Sequence, residues 1–230
     1  MGLIGDNLKI VNAQIADACY KFGRRREDIM LVGISKTKGV DVIKEACQAG
    51  LTHLGENRIQ EASEKIPIIG EGPVWHMVGH LQSNKAKKAV GLFDIIESID
   101  SLKLAKVIGD ECAKIGKKMK ILLEVNSSGE ASKYGLQPGD VLAFAVEINK
   151  LENLELSGLM TVGPFTNNLE QIDKSFDLTQ KLYKQMQDKF GAKISILSMG
   201  MSSDFERAIK YGNTELRIGT AIFGARNVII

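Results

Sequence analysis

Short apolar runs alternate with longer amphipathic segments along this 230-residue chain. The short runs are rich in Val, Ile and Leu, a composition that is typical of buried strands of about four to eight residues. The longer segments place apolar residues three or four positions apart, which is typical of helices that bury one face. The pattern predicts about eight strands, at residues 30–36, 51–54, 74–78, 94–97, 120–125, 154–160, 194–197 and 215–218.

A helix is predicted after nearly every strand, and one more helix precedes the first strand. The predicted helices cover residues 6–22, 40–49, 58–65, a segment from about 84, 102–115, 138–149, 169–190 and 204–211. This alternation favours an α/β fold, a (β/α)₈ TIM barrel. The competing doubly wound sheet would place Gly-x-Gly-x-x-Gly after the first strand, whereas residues 33–36 read Gly-Ile-Ser-Lys. We therefore predict a single barrel domain over residues 1–230, with an extra N-terminal helix.

The charge of the chain is nearly balanced. It has 30 Lys and Arg residues against 28 Asp and Glu residues, and a net charge of +2. A dedicated nucleic-acid-binding protein carries a much stronger basic excess. Basic clusters such as residues 24–26 and 117–118 are more typical of solvated helix ends. We therefore predict no nucleic-acid partner.

Cysteine usage and hydropathy both indicate a cytoplasmic protein. Cys19, Cys47 and Cys112 are odd in number and form no Cys-x-x-Cys pair, which argues against a disulfide framework or a zinc site. The first 23 residues lack the continuous apolar region of a signal peptide, and no run is long enough to span a membrane. We expect a soluble monomer with no membrane partner.

Polar residues follow several predicted strands, at the edge where a barrel places its functional residues. Lys36 ends the first strand; such a lysine often rests on apolar surface with its ammonium in water, unless it has a partner or a chemical role. The seventh strand is followed by Ser-Met-Gly-Met-Ser-Ser-Asp at 198–204, and the eighth by Gly219 and Thr220. Their hydroxyls and N–H groups suit helix capping on structural grounds, and they also suit an anion. Because barrels commonly bind phosphate at these two loops, we predict a phosphate site there.

A lysine and a phosphate site on one barrel mouth suggest a phosphorylated aldehyde held as a Schiff base. Pyridoxal 5′-phosphate (PLP) is the ligand that needs both. The reaction requires a neutral amine, and a partly buried lysine near other cations releases its proton readily. Arg217, on the eighth strand, would face the pyridine side of the ring. Since an arginine cannot accept a proton, the ring nitrogen is expected to stay unprotonated, which makes the cofactor a weak electron sink.

Six stretches of the chain carry a resemblance to a known family. They are residues 32–38, 55–57, 75–85, 158–161, 197–202 and 217–224. In order, and over essentially its whole length, the chain resembles the pyridoxal phosphate homeostasis protein family, also called the proline synthase co-transcribed family. The strings Gly-His-Leu-Gln-Ser-Asn-Lys at 79–85 and Ser-Met-Gly-Met-Ser at 198–202 are the most specific to it.

This resemblance implies a fold and a set of roles. The fold is a barrel like the N-terminal domain of alanine racemase. The resemblance implies PLP on Lys36, with Ser202, Gly219 and Thr220 at the phosphate and Arg217 near the pyridine nitrogen. The family is regarded as one that binds and supplies PLP without an established enzymatic activity.

Two polar residues at the mouth are weaker candidates for the same site. Asn57 suits a helix cap as well as a position beside the ring hydroxyl of PLP or beside Lys36, and His80 lies in the loop after the third strand as a candidate to reach the ligand. His53 and His76 are predicted to be structural, and no metal site is predicted because the histidines lack metal-ligand spacing. The predicted cofactor-binding residues are Lys36, Asn57, His80, Ser198, Met201, Ser202, Arg217, Gly219 and Thr220.

Two function classes remain open, a PLP carrier and a PLP-dependent racemase. A racemase needs a second acid/base opposite its lysine, which alanine racemases supply as a tyrosine from an additional C-terminal domain. Only Tyr134 lies in a loop near the mouth, and the residues after Thr220 are too few for such a domain. Lys38 and Lys133 add amines there; Lys133 is either a transient acceptor that hands PLP on or a solvated loop lysine. We expect binding and supply of PLP to apo-enzymes, with no catalytic residue and at most trace turnover.

Overall fold

The strands of the computed structural model close into one barrel, which confirms the predicted fold. The structure describes residues 2–225. The eight strands are parallel and run in chain order around the barrel, and the last pairs with the first. They are β1 (Met30–Ile34), β2 (His53–Glu56), β3 (Val74–Met77), β4 (Ile95–Ile99), β5 (Met119–Glu124), β6 (Leu154–Met160), β7 (Ile196–Ser198) and β8 (Glu215–Ile218).

Helices form the outer layer, and the predicted extra N-terminal helix is present. The helices are α1 (Leu3–Lys21), α2 (Val40–Gln48), α3 (Ile59–Ile69), α4 (Ala86–Leu92), α5 (Leu102–Lys114), α6 (Val141–Ile148), α7 (Leu169–Phe190), α8 (Phe205–Lys210) and α9 (Thr220–Phe223). The extra helix α1 packs against α2, α8 and α9, and so belongs to this outer layer. Among residues 2–225, no helix combines the length and the apolarity needed to cross a membrane.

Apolar side chains fill the layer between the strands and the helices. Successive residues of a strand face opposite sides of the sheet. Leu123 packs into this main core, together with helical residues such as Ile43 and Ile108. Its neighbour Leu122 belongs to a separate small cluster with Met160 and Ile196. Burial of the larger layer holds the helices on the barrel, because removal of apolar surface from water is the main force in folding.

The interior of the barrel carries buried polar groups where branched apolar side chains are usual. His76 on β3, Glu97 on β4 and Ser198 on β7 are each completely buried. On β8, Glu215 is completely buried and Arg217 is 4% exposed. These last two residues are two positions apart on one strand, so their side chains share a face of the sheet. Buried charges need partners, and the contacts of this cluster are therefore part of the site described below.

The observed bounds of six strands differ from the prediction. β1 ends at Ile34, so Lys36 follows the strand instead of ending it, while β3 ends one residue earlier and β5 lies one residue earlier than predicted. The prediction for β2 is 51–54, but β2 begins at His53 and includes Gly55 and Glu56, which the pattern assigns to an exit loop. A glutamate at position 56 predicts an exposed loop, whereas the side chain of Glu56 is buried against Lys65 and Ser35. β4 and β7 likewise lie one or two residues further along the chain than predicted. The helix α9 is absent from the prediction, because four residues are too few for helical periodicity to show.

Candidate functional site

Lys36 lies in a turn two residues beyond the end of β1, and its side chain is partly buried. The next residue, Thr37, has a φ of 62°, in the left-handed region that a β-branched residue rarely adopts. Its backbone N–H donates a 2.7 Å hydrogen bond to Glu61 Oε2. Glu61 belongs to α3, so the strained backbone beside Lys36 is anchored to the helix that follows β2.

Ser35, on the other side of Lys36, is held by a buried ion pair. Lys65 Nζ donates to the backbone O of Ser35 at 2.9 Å and to Glu56 Oε1 at 2.7 Å. The same ammonium pairs with Glu61 Oε2 at 2.8 Å. The hydroxyl of Ser35 also donates to Glu56 Oε1, at 2.7 Å. Both neighbours of Lys36 are thereby fixed. The helical residues that fix them are charged, so the sequence pattern predicts their helix but not their burial.

The loops after β7 and β8 are joined to each other. Ala221 N donates a hydrogen bond to Ser202 Oγ at 3.4 Å. Met201 N donates to Asp204 Oδ1 at 2.6 Å, which shapes the β7 loop where it enters α8. Gly200 has a φ of +99°, and a Cβ on it would lie 2.6 Å from a side-chain atom of α8, so this position requires glycine. The two loops predicted to hold phosphate thus form one continuous edge of the mouth.

The lysine turn and these loops meet at the end of β1. Gly219 packs on this end, since a Cβ on it would lie 3.4 Å from both the Cβ and the backbone O of Ile34. Ile34 precedes Lys36 by two residues. Ser202 and Gly219 are partly buried, and Thr220 is exposed at the first position of α9. The structure therefore brings Lys36, Ser202, Gly219 and Thr220 to one side of the mouth.

Arg217 precedes this edge on β8 and lies in the barrel interior. Its Nη1 donates to Ser198 Oγ and its Nη2 donates to the backbone O of Thr161, both at 2.6 Å. Two bonds from one planar group fix the orientation of the guanidinium. The hydroxyl of Ser198 is thereby engaged with Arg217, whereas Ser202 stays at the loop edge. Of the two serines predicted to contact the cofactor, Ser198 thus lies in the layer that supports Arg217.

A chain of buried hydrogen bonds runs on from Ser198 across the barrel. Ser198 Oγ lies 2.7 Å from Glu97 Oε2 and 2.6 Å from Glu215 Oε1. Glu97 Oε1 accepts from His76 Nδ1 at 2.7 Å, and His76 Nε2 lies 3.0 Å from His53 Nδ1. His76 is thus a hydrogen-bonded core histidine, as predicted. Its carboxyl partners carry no sequence signal, because they come from distant strands.

Burial and mutual interaction set the charges in this chain. Burial and the charge of Glu97 raise the pKa of Glu215 to about 8. Burial disfavours the charge of Glu97 too, but the hydrogen bond and charge of His76 outweigh it, so the pKa of Glu97 is lowered. For His76, burial is outweighed by its hydrogen bond to Glu97 and the charge of Glu215, so its pKa is raised. Burial and the charge of His76 lower the pKa of His53 to about 4, which keeps His53 neutral.

His76, Glu97 and Glu215 also bring one potential ligand atom each within 4.8 Å of one another, as a metal ion would require. Their existing contacts suit hydrogen bonding instead. His76 Nδ1 already donates to Glu97, and the Arg217 cation on the shared Ser198 would repel a second cation. We therefore assign these side chains to a hydrogen-bonded cluster and no metal to them.

The other predicted residues lie around the rest of the mouth. Gly79 approaches Asn57 so closely that a Cβ would lie 2.3 Å from the backbone O of Asn57, which joins the loops after β2 and β3. His80 is exposed and stacks on Tyr134, with ring centroids 3.7 Å apart. His80 Nδ1 also lies 3.2 Å from Asp100 Oδ2. His80 and Tyr134 are thus engaged with each other, where the loops after β3 and β5 meet.

Two further lysines near the mouth make backbone contacts. Lys38 Nζ donates to the backbone O of Gly224 at 3.1 Å. Lys133 Nζ donates to the backbone O of Gly163 at 2.6 Å and pairs with Glu130 at 2.9 Å. Lys133 therefore connects the loop after β5 to the loop after β6, and its use as a transient acceptor of PLP stays a prediction.

Comparison with known proteins relates the whole chain to one group. The family described as alanine racemase, N-terminal domain, matches residues 24–227. The pyridoxal phosphate homeostasis protein of Vibrio cholerae is 39% identical over 232 residues, which cover 99% of this chain and 98% of that protein. PipY of Synechococcus elongatus, solved with PLP bound, has a TM-score of 0.80 at 33% identity and covers 92% of this chain and 100% of that one.

The likeness to alanine racemase itself is one of fold. An alanine racemase of Clostridium difficile has a TM-score of 0.78 but only 21% identity. The match covers 97% of this chain and 58% of the racemase. The homeostasis proteins, in contrast, match along nearly their full length at much higher identity. The chain therefore belongs to the pyridoxal phosphate homeostasis protein family, on the barrel of the alanine racemase N-terminal domain.

Proposed function

We propose that this chain binds PLP at the carboxyl ends of β1, β7 and β8 and holds it for supply to other proteins. The observation that carries the proposal is the close approach of Gly219 to Ile34, at the end of β1. It places the turn that contains Lys36 beside the loops after β7 and β8, which are joined by the hydrogen bond to Ser202. The homeostasis protein relatives and the PLP-bound PipY structure support the same ligand.

The residues at this edge fit the chemical groups of PLP. When bound, PLP supplies an aldehyde that reacts reversibly with an amine. Lys36 would provide that amine, from a turn anchored to α3. The hydroxyls of Ser202 and Thr220, with the backbone N–H of Gly219, would donate hydrogen bonds to the phosphate, and donors to a charged oxygen form the stronger class of hydrogen bond. The N–H of Met201 already donates to Asp204, so Met201 would shape this loop instead of binding the phosphate.

Arg217 would lie on the pyridine side of the ring. Its two bonds to Ser198 and Thr161 hold the guanidinium as a fixed donor that cannot take up a proton. A donor at the ring nitrogen leaves that nitrogen without a proton, and this weakens the withdrawal of electrons on which amino-acid chemistry depends. Asn57 and His80 are proposed as polar neighbours of the ring from the loops after β2 and β3.

A racemase is the second function class, and the site favours it less. A racemase needs an acid/base on the face of the ring opposite the lysine. Tyr134 is 56% exposed and its ring is stacked on His80, so a structural role accounts for its position. We assign no catalytic residue. The cytoplasmic location, the monomeric state and the recipient apo-enzymes stay predictions.

The test uses the purified protein loaded with PLP. Borohydride reduction is expected to fix the cofactor on the peptide that contains Lys36, as read by mass spectrometry. The loaded protein should transfer PLP to an apo-enzyme, measured as recovery of that enzyme's activity. It should catalyse no exchange of the α-hydrogen of amino acids for deuterium from the solvent.

The control for the label is Lys189→Ala, which removes an exposed lysine of α7 and should leave labelling and transfer unchanged. A wild-type protein labelled only on other lysines would contradict the role of Lys36. Robust deuterium exchange that Tyr134→Phe abolishes would replace the carrier with a racemase.

Loss of the Ser202 hydroxyl is expected to weaken PLP binding by about 0.5–3 kcal/mol, the range for a hydrogen bond that includes charged partners. Ser203→Ala is the matched control, because Ser203 is the next residue and is exposed. Affinity is measured by absorbance titration with PLP and with pyridoxal, which lacks the phosphate. If wild-type protein bound the two ligands equally well, the phosphate would not lie at this loop.

A further inference from the structure

Ser198 has more close hydrogen-bonding neighbours than its single hydroxyl hydrogen can serve. Arg217 Nη1, at 2.6 Å, can only donate to it. Glu97 Oε2 at 2.7 Å and Glu215 Oε1 at 2.6 Å are both within hydrogen-bond distance as well. The hydroxyl hydrogen can reach only one of these oxygens, so two carboxylates would leave one short oxygen–oxygen contact without a hydrogen. One of the two side chains must therefore be a neutral carboxylic acid that supplies the second hydrogen.

The remaining contacts assign that hydrogen to Glu215. Glu97 Oε1 accepts a hydrogen bond from His76 Nδ1 at 2.7 Å, which favours the carboxylate form of Glu97. Glu215 Oε2 lies 3.9 Å from the same nitrogen and has no hydrogen-bond partner among the described residues. A charged oxygen left buried without a donor is costly, whereas a neutral acid avoids that charge.

We propose that Glu215 is a neutral carboxylic acid at neutral pH and that, through Ser198, it is a positioning residue for Arg217. Ser198 then accepts from both Glu215 and Arg217 and donates to Glu97. Glu97 is left as the one carboxylate of the pair, with His76 and Arg217 as its hydrogen-bonded and cationic neighbours. The effect on bound PLP rests on the proposed function, but the protonation of Glu215 is a property of the chain without its ligand.

The charged groups around the pair agree with this assignment. His76 from β3 and Arg217 from β8 stabilise one carboxylate, which is Glu97. Glu124, at the end of β5, is a further carboxyl that interacts with the charge of Glu97, and burial raises its own pKa to about 7. For Glu215, burial and the charge of Glu97 raise the pKa to about 8. A neutral Glu215 therefore persists through the neutral range and ionises above it.

The hydrogen-bonded chain extends toward the amino ends of the strands, opposite the mouth. His53 and Glu215 line a cavity of about 590 Å³ there, whose charged lining includes Asp28 and Lys120. His53 is only partly buried and contacts His76, which in turn contacts Glu97. Glu97 and Glu215 are themselves completely buried, so this chain of side chains is what connects them to the cavity.

Two matched substitutions test the proposal, because each places the same neutral amide beside Ser198. Glu215→Gln imitates the neutral acid and keeps a donor to Ser198, so its unfolding temperature and its affinity for PLP should change much less than those of Glu97→Gln. Glu97→Gln removes the carboxylate that pairs with His76 and supports Arg217. It is expected to lower the unfolding temperature and to weaken PLP binding more than about tenfold, and the absorbance of bound PLP should shift.

Infrared difference spectra of the PLP-free protein locate the proton independently of the proposed function. The spectrum of wild type minus Glu215→Gln is expected to contain a protonated carboxyl band near neutral pH. The difference isolates Glu215 from other acids with raised pKa values, such as Glu124 and Glu56.

The pH dependence of stability gives a third readout. A carboxyl whose pKa is raised on folding holds its proton where the unfolded chain has lost it, so the Glu215 contribution declines as pH rises from about 4.5 to about 8. His76, whose pKa is also raised, adds a decline of the same sign. The expected result is therefore a shallower decline in Glu215→Gln than in wild type.

Three results would overturn the proposal. They are a band lost in Glu97→Gln but kept in Glu215→Gln, no protonated carboxyl band in wild type, and a Glu215→Gln protein that does not fold. If Glu97→Gln does not fold, Ser198→Ala replaces it, and should shift the absorbance of bound PLP while it keeps the infrared band. Loss of PLP binding by wild type with the band intact would count against the proposed PLP site and leave the proton on Glu215.

Discussion

Replacement of Lys65 by methionine is expected to lower the free energy of unfolding by about 3–5 kcal/mol, the usual effect of removing one partner of a buried ion pair. Lys65 is 8% exposed, and its ammonium lies 2.7 Å from Glu56 Oε1 in a completely buried carboxylate. Methionine fills much of the same space, so the loss arises from Glu56, whose buried carboxyl group must either stay charged without its cation or take up a proton. Urea unfolding near neutral pH measures it.

The matched control is Lys174→Met on α7. Lys174 pairs with Glu170 at i,i+4 spacing and 2.8 Å, and both side chains are 74% exposed. Lys65 pairs with Glu61 at the same spacing and the same distance, but its side chain is only 10% exposed. Since exposed ion pairs contribute little to stability, the control should unfold like wild type. Equal losses in the two variants would contradict burial as the cause.

The double variant Lys65→Met/Glu56→Gln separates charge from packing, and should recover most of the lost stability. Burial already raises the pKa of Glu56 with Lys65 in place, and removal of the ammonium raises it further. The folded single variant then holds a proton that the unfolded chain loses above its ordinary pKa of 4.5. Its stability should therefore fall as pH rises from that value. A loss of the same size at acid and neutral pH would contradict this explanation.

The same substitution should also affect the lysine turn. Ser35 loses one of the two donors to its backbone O and keeps the other, Lys38 N, while Thr37 keeps its bond to Glu61. The turn that carries Lys36 then has one anchor fewer. We expect slower reaction of PLP with Lys36, measured as the rate of appearance of the borohydride-reducible label at a temperature where the variant is folded.

Replacement of Arg217 by methionine is expected to have a comparable effect, about 3–5 kcal/mol, because it removes the permanent cation from a buried cluster of charged and polar groups. The guanidinium bonds to Ser198 and to the backbone O of Thr161, and the charge of Arg217 stabilises Glu97. Loss of a donor beside the ring should also shift the absorbance of bound PLP. Denaturant unfolding and a PLP titration measure the two effects.

Two controls accompany this substitution. Arg217→Lys keeps the charge but cannot donate to Ser198 and Thr161 in the fixed geometry of the guanidinium, so an intermediate loss of stability is expected. Arg25→Met removes an arginine whose side chain is 78% exposed and pairs with Asp28 at the surface, and no measurable loss is expected. If Arg217→Met were as stable as Arg25→Met, Arg217 would not be an essential partner of the buried cluster.

Local sequence patterns predict an element well when the pattern and the burial agree. The observed bounds of β6, β8 and α7 coincide with the predicted ones, because each is a clear apolar or amphipathic pattern. β2 departs from its prediction, because glycine and glutamate at 55 and 56 are typical of loops. Burial of Glu56 depends on Lys65, nine positions further on and on a helix, and no window of strand length contains both.

The candidate site also has one part that the sequence predicts and one part that it does not. Its edge, with Lys36, Ser202, Gly219 and Thr220, follows from the order of strands, because a parallel barrel collects the residues after every strand at one end. The anchors of the lysine turn do not follow from that order. They depend on how α3 packs beside β1, and so on contacts between residues about twenty to thirty positions apart.

The sequence by itself determined the alternation of strands and helices, the lysine after the first strand and the polar loops after the last two, because these are properties of contiguous residues. Only the tertiary structure decided which of the buried carboxyl groups is charged and which is neutral. Ser198 meets Glu97 across 101 positions of chain, since a closed barrel directs alternate residues of every strand into one interior. In that poorly solvated interior, the charge of each side chain depends on its neighbours, and no single stretch of the sequence contains the neighbours of Glu215.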